Sequence, residues 1–208
     1  MTFLELHDFL KKDLLIYTWI TNNIHLTFQK IEKGETLTTD RDHLIIMKSG
    51  AMVQESEGTK NIITRCFFGE QILFTAEGEL SVKALETTEY SVIQSEDLFS
   101  KLEEENLLPN FFLQLTQDLE IELKKDYFLT SAFPNERINM VLDLIIKQYQ
   151  ISMNDNTEFP RWLKVNLLAK LSRCSISTTS AIINELNENG RINIKSSPWI
   201  LTEESYSA

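Results

Sequence analysis

The stretch from Lys164 to Thr202 constrains this chain more than any other, and its centre reads LLAKLSRCSISTTSAIINEL. Leu167, Leu168 and Leu171 recur at helical spacing, Arg173, Cys174 and Ser175 interrupt the pattern, and Ile182, Ile183 and Leu186 resume it. The spacing predicts two short helices joined by a tight turn. Ser175 supplies the hydroxyl an N-cap needs to accept a hydrogen bond from a free amide of the next turn. The residues after it, Ser177, Thr178, Thr179 and Ser180, are small and polar. Such a face suits a helix entering a major groove, because its N-terminal residues must come close to base edges and phosphates. Gly190 is placed to stop the second helix, and RINI and WILT around KSSP predict two short strands and a turn, the wing of a winged helix. Two helices with apolar stripes also occur as a plain hairpin. Small Ala169 in the first helix, the cap and the following strands favour a DNA-binding motif. Arg173 stands at the turn position where such motifs favour glycine, at a cost of about 1 kcal/mol if its φ is positive. Ser172 and Thr179 occupy slots where larger apolar groups are usual.

A net charge of −11 over 208 residues argues at first against nucleic acid, since phosphate binding needs a basic surface. Dividing the chain changes the balance. From Phe159 to Ala208, six Lys or Arg stand against four Glu, a net +2, leaving 14 basic against 27 acidic residues, a net −13, in the remainder. A module of +2 makes few phosphate contacts, so useful affinity requires two subunits acting together. Length and 42% hydrophobic content suit two domains with ordinary cores. Cys66 and Cys174 are too few for a disulfide framework and are expected to be small buried apolar residues in a reducing, cytoplasmic compartment. His7, His25 and His43 lack ligand spacing, so neither a metal site nor a cofactor is expected. Glu5 and Asp8 near the start, and no long apolar run, predict no signal peptide and no membrane span.

Leu6, Phe9, Leu10 and Leu14 fall at helical spacing and predict one or two short opening helices within Met1 to Ile20. The period then changes to two: IHLTFQKI, HLIIMKSGAMVQES, KNIITRCFF, LSVKALE and EYSVIQ are separated by the turn signals KGE, SEGT, GEQ and AEGE, which suggests a small β-roll. Ser95 to Glu104 reads as a short helix capped by Ser95. Pro109 opens a longer helix on which Phe112, Leu115, Leu119 and Leu123 form one stripe, while Phe111, Ile121 and Phe128 point elsewhere. Apolar groups on more than one face imply that the roll covers one and a second subunit the other. Phe133, Pro134 and Asn135 break this helix as a hinge, Arg137 to Gln150 forms the next, and SMNDNTEFPRW is a polar loop.

The order of these parts resembles the Crp/Fnr superfamily of bacterial transcription regulators over nearly the whole chain. The resemblance is carried by Gly34 and Gly50 at roll turns, FFGE at Phe67 to Glu70, the Arg137-Ile138 start of the second domain, and the gap-free run from Asn166 to Ile192. It implies an α+β chain. Residues 1–106 would form a cyclic-nucleotide-binding-like antiparallel β-roll of the double-stranded β-helix or jelly-roll type, 107–133 a long dimerisation helix and hinge, and 134–208 a winged helix-turn-helix. A homodimer of this kind sets two recognition helices in successive major grooves of double-stranded DNA, about 34 Å apart.

Carried over position by position, the resemblance puts an effector pocket at Gly69, Glu70, Ser81, Glu122 and Leu123. The arginine that neutralises a cyclic phosphate is replaced by Leu80, and burying that phosphate without a cation costs several kcal/mol, which argues against cyclic AMP. Gly69 and Glu70 read either as a turn with a solvated acid or as part of a site for an unidentified small-molecule effector. Iron-sulfur members need four cysteines, which this chain lacks, and haem sensing has no support. The base-reading positions are Ile176, Ser177 and Ala181, which with Thr178 suit an A·T-rich site or shape readout rather than guanine recognition. Lys164, Asn166, Ser175, Thr178 and Lys195 match phosphate-contacting positions, and Lys170 and Arg173 are further basic candidates. The resemblance implies no catalytic residues and makes RNA polymerase a candidate partner. Two rival readings are a signalling adaptor that binds proteins through a degenerate effector domain, and a small cupin-like enzyme, for which His43 alone is too little.

Overall fold

A computed structural model describes residues 15–55, 63–152 and 157–202. The part of the expected opening helices before residue 15, and residues 153–156 of the polar loop, lie outside these. The elements in chain order are α1 (Leu15–Asn23), β1 (Gln29–Ile31), β2 (Thr36–Asp40), β3 (His43–Ser49), β4 (Ala51–Glu55), β5 (Ile63–Phe68), β6 (Gln71–Leu73), β7 (Glu79–Ala84), β8 (Thr88–Gln94), α2 (Ser95–Glu104), α3 (Leu108–Ser131), α4 (Pro134–Gln148), α5 (Val165–Leu171), α6 (Ile176–Glu188), β9 (Ile192–Asn193) and β10 (Ile200–Leu201). The fold is α+β, with antiparallel strands first and helices after. It divides into two compact units, Met1–Gln54 with Phe67–Glu122, and Glu55–Cys66 with Leu123–Ala208.

Strands β1 to β8 form two antiparallel four-stranded sheets, ordered β1-β8-β3-β6 and β2-β7-β4-β5. Successive side chains of a strand point to opposite faces, and β3 uses both. Ile45 and Met47 join the core between the sheets with Met52, Phe67, Leu73, Leu80, Val82 and Tyr90. Leu44 and Ile46 meet Ile16, Tyr17, Ile20, Leu98, Leu102 and Phe111 from the flanking helices. A strand covered on both sides reads as a continuous apolar run rather than an alternation, which is why HLIIM has no polar beat.

Several expectations are corrected here. Of IHLTFQKI only Gln29–Ile31 is strand. β2 and β6 were not expected: both lie at sheet edges, β2 is largely polar with Thr39 its one buried residue, and β6 spans three residues, the first of which closes the turn signal GEQ. Ser95 does not cap α2. It is the first helical residue, Gln94 holds the cap position without a side-chain bond, and Ser95 Oγ donates to the Arg41 carbonyl at 3.1 Å. His43 is hydrogen-bonded rather than a ligand: its Nδ1 lies 2.7 Å from Asp40 Oδ1 across the β2–β3 turn, and this hydrogen bond holds the Asp40 carboxyl below its ordinary range.

In the second unit, α4 buries Ile138, Val141, Leu142 and Ile145, at the three- and four-residue spacing of one helix face. Phe159, Trp162, Leu163, Leu168, Ala169, Ile183, Leu186, Ile192, Trp199 and Leu201 are also buried. The helix expected over Arg137 to Gln150 begins earlier and ends sooner, at Pro134–Gln148. Proline has no amide hydrogen to lose at a first helical position and its φ suits one, so Pro134 starts α4 instead of prolonging a break. Ala132 and Phe133 alone separate α3 from α4, and Glu136 Oε2 accepts the Phe133 amide at 2.8 Å. Gly190 follows the last turn of α6 with φ +75°, β9 pairs with β10, and Glu158 extends the pairing against Ile200.

Gly50, between β3 and β4, has φ +101°, and a Cβ there would lie 2.7 Å from the Thr88 Cα; Gly34, with φ +90°, has open space. Gly34→Ala is therefore expected to cost about 1 kcal/mol, from backbone strain alone. Gly50→Ala should cost roughly 2 kcal/mol more, because Thr88 must move as well, and denaturant midpoints of the two variants measure the difference.

Candidate nucleic-acid interface

The α5–turn–α6 segment follows from its sequence residue by residue. Arg173 adopts φ +53°, the left-handed conformation that reverses the chain after α5, at a cost that glycine would avoid. The Cys174 amide donates to the Ala169 carbonyl at 2.9 Å, closing the end of α5. Ser175 then caps α6, accepting from the Thr178 amide at 3.0 Å, and its hydroxyl also lies 2.9 Å from Ser177 Oγ and 2.7 Å from Thr178 Oγ1. The two small polar residues at apolar slots are buried but satisfied. Ser172 Oγ donates to the Leu168 carbonyl at 2.7 Å and Thr179 Oγ1 to the Ser175 carbonyl at 2.9 Å, so neither hydroxyl bears an unmet desolvation cost. Cys174 and Cys66 are half-buried, not buried as expected.

α6 buries Thr179, Ile183 and Leu186 and exposes Ile176, Ser177 and Ala181. Ser177 and Ala181 are four residues apart and share a stripe. Asn184, three residues beyond Ala181, is exposed on the same stripe; sequence reading passed it over, although the i, i+4, i+7 spacing could have found it. Lys164 takes the N-cap position of α5, and its Nζ donates to Ser197 Oγ of the wing at 3.0 Å. Asn166 and Lys195 are exposed, and Thr178 is half-buried beside the cap.

The other two basic candidates are engaged. Lys170 Nζ lies 3.2 Å from Glu55 Oε1, and Arg173 Nη2 lies 2.6 Å from Asp126 Oδ1 on α3. Arg137 Nη1 donates to both the Leu129 and the Arg173 carbonyls at 3.1 Å, while its Nε is buried with no hydrogen-bond partner among the described residues. Asp126, Glu55 and the linking role of Arg137 were missed from the sequence, since the partners lie many residues apart and no local period connects them.

In the first unit, Gly69 turns between β5 and β6 at φ +65° with its amide on the Gly50 carbonyl, and Glu70 is exposed. Burial, and secondarily the Glu70 charge, pushes the Tyr17 phenol up to about 12; its hydroxyl donates to the Met47 carbonyl at 2.7 Å. β7 alternates, so Leu80 (2% exposed) and Val82 fill the interior core while Ser81 lies on the opposite face. On α3, Glu122 is half-buried and Leu123 exposed. Phe112, Leu119 and Leu123 are 49%, 46% and 69% exposed, whereas Leu115 packs against the core of its own unit. Among the described residues no group of three or more His, Cys, Asp or Glu could hold a metal ion, and no helix is long and apolar enough to cross a membrane.

The cap is testable in isolation. Ser175→Ala should lower stability by about 1 kcal/mol, and Ser175→Asp, which restores an acceptor and places a negative charge at the positive end of α6, should recover most of it in urea unfolding.

No protein-family model and no curated protein matches the sequence. Solved structures match its fold. FixK2 from Bradyrhizobium japonicum superposes with a TM-score of 0.73 at 11% identity, covering 87% of this chain and 94% of that one. The c-di-GMP-responsive global regulator CLP of Xanthomonas campestris gives 0.68 at 16% identity, over 92% and 100% of the two chains. A transcriptional regulator assigned to the Crp/Fnr family from Eubacterium rectale gives 0.62 at 12% identity, over 93% and 92%. Matches that span both units at such low identity rest on architecture, and the fold of this chain is that of the Crp/Fnr transcription regulators.

Proposed function

We propose that this chain is a homodimeric, sequence-specific DNA-binding transcription regulator of the Crp/Fnr type, without catalytic activity, acting in a bacterial cytoplasm on a palindromic operator. The observation that carries this reading is α6, a helix capped by Ser175 behind a left-handed turn, with Ile176, Ser177 and Ala181 exposed and the opposite face buried. In that role Ile176 meets thymine methyl groups, Ser177 and Thr178 bond to bases or phosphates, and the small Ala181 lets the helix lie close, which favours A·T-rich half-sites. Lys164, Asn166, Ser175 and Lys195 hold phosphates and set orientation rather than sequence.

The dimer forms along α3 in this reading, with residues 107–133 as the dimerisation segment between a roll at 1–106 and a DNA-binding domain at 134–208. Phe112, Leu119 and Leu123 are spaced seven and four apart, the seam of a two-stranded coiled coil, and their exposure supports a second copy there. Leu115 contributes less to that seam, being turned toward its own core. The same reading sets cyclic AMP aside as effector: the position at which the resemblance implies a phosphate-neutralising arginine is Leu80, which packs in the apolar core. Gly69, Glu70, Ser81, Glu122 and Leu123 remain the candidate pocket for a different small molecule, and RNA polymerase is the candidate protein partner.

Selection of bound sequences from random DNA, with particle mass measured on the same preparation, tests the reading. A dimer and a two-fold symmetric site with half-sites about one helical turn apart are expected. Ser177→Glu and Lys195→Glu should each weaken binding by more than about tenfold, since each sets a carboxylate against the phosphate backbone. Unchanged binding in both variants removes the proposed surface, and capture of proteins but no DNA favours the adaptor reading. Leu119→Glu combined with Leu123→Glu should yield monomers by light scattering and lose operator binding.

A further inference from the structure

We infer that the ion pair between Asp126 and Arg173 is an autoinhibitory latch on the helix-turn-helix, in which a carboxylate of α3 occupies the guanidinium that would otherwise meet a DNA phosphate. The inference rests on the DNA-binding reading above and concerns how that same surface is regulated.

Three observations carry it. The first is where Arg173 stands: it is the turn residue between α5 and α6, next to the cap of the recognition helix, and its Nη2 lies 2.6 Å from Asp126 Oδ1. The second is that the backbone around it is fixed independently of that pair. Its φ of +53°, the Arg137 donor on its carbonyl and the Ser175 cap hold the turn, so exchange of the guanidinium between a carboxylate and a phosphate needs side-chain rotation alone. The pair is also within reach of solvent, the Asp126 side chain being 53% and the Arg173 side chain 25% exposed. The third is the charge balance. Six Lys or Arg lie between Phe159 and Ala208, and two of them, Lys170 and Arg173, are matched by acids from outside that range, Glu55 and Asp126. In a module of net +2, engaging these two cations removes much of the field that draws DNA in. If the pair served to position the motif instead, breaking it would weaken DNA binding, so the sign of the effect decides between the two roles.

The test is fluorescence-anisotropy titration of the full-length protein with a selected operator and with an unrelated duplex, each variant being checked by its Tm. Asp126→Asn should bind both duplexes more tightly, by about threefold per subunit and roughly tenfold for a dimer, the scale of a partly exposed ion pair. Asp126→Glu, which keeps the charge, should bind like the wild type. In an Arg173→Gln background the gain should vanish, and the slope of log affinity against log salt should flatten by about 0.9 per subunit as one phosphate contact is lost. Equal or weaker binding by Asp126→Asn at unchanged Tm overturns the latch, as does tighter binding by Asp126→Glu. A gain that persists without Arg173 also overturns it, because the effect is then only the loss of one repelling charge. Should neither wild type nor Asp126→Asn bind any duplex, the DNA-binding reading fails together with the latch, whereas binding by the variant alone supports both.

Discussion

The Arg137 guanidinium gives the Leu129 and Arg173 carbonyls a common donor, and the setting of α6 depends on that bond. One carbonyl belongs to the last turn of α3, where helix geometry leaves acceptors without partners of their own. The other belongs to a residue with a left-handed backbone, whose carbonyl is turned away from regular structure. A charged donor is stronger than a neutral one, and a planar guanidinium holds a fixed geometry that lysine could not copy. The Nε, buried with no partner among the described residues, is the cost of this arrangement. Ser175 and α6 follow directly in sequence, so what is fixed at Arg173 is passed to the helix that would face DNA.

The first unit works through a different constraint, the two-faced burial of β3. Because alternate residues enter two separate cores, the strand cannot slip by one position without exchanging Ile45 and Met47 with Leu44 and Ile46. Its register is thereby tied to both sheet packing and helix packing. Leu80 on β7 belongs to the inner of these cores, so a cation at that position would have to be buried in an apolar interior.

What could be read from the chain was what is local. The stop in the helical period at Arg173, the hydroxyl at Ser175 and the strands around KSSP each announce themselves within a few residues, and each is where the spacing put it. β2 and β6 escaped because edge strands need neither length nor alternation: TLTTD looks like a polar linker and QIL like the end of a turn. Ser95 escaped because its hydroxyl reaches Arg41, 54 residues away, instead of the amides of its own helix. The site was legible to the same extent. Ile176, Ser177 and Ala181 came from the resemblance, and α6 does expose them. The partners of Arg173 and Lys170, 47 and 115 residues distant, obey no period and become visible only when the chain is folded.

The joint between α3 and α4 has a mechanical consequence. Two residues, Ala132 and Phe133, hold four soft torsions between them and a contour of roughly 7 Å, little more than the pitch of one helical turn. A connection of that size can swivel but can hardly stretch. Any rearrangement at this point would therefore be angular, and the Glu136 carboxylate, seated on the Phe133 amide, is the friction such a pivot must overcome.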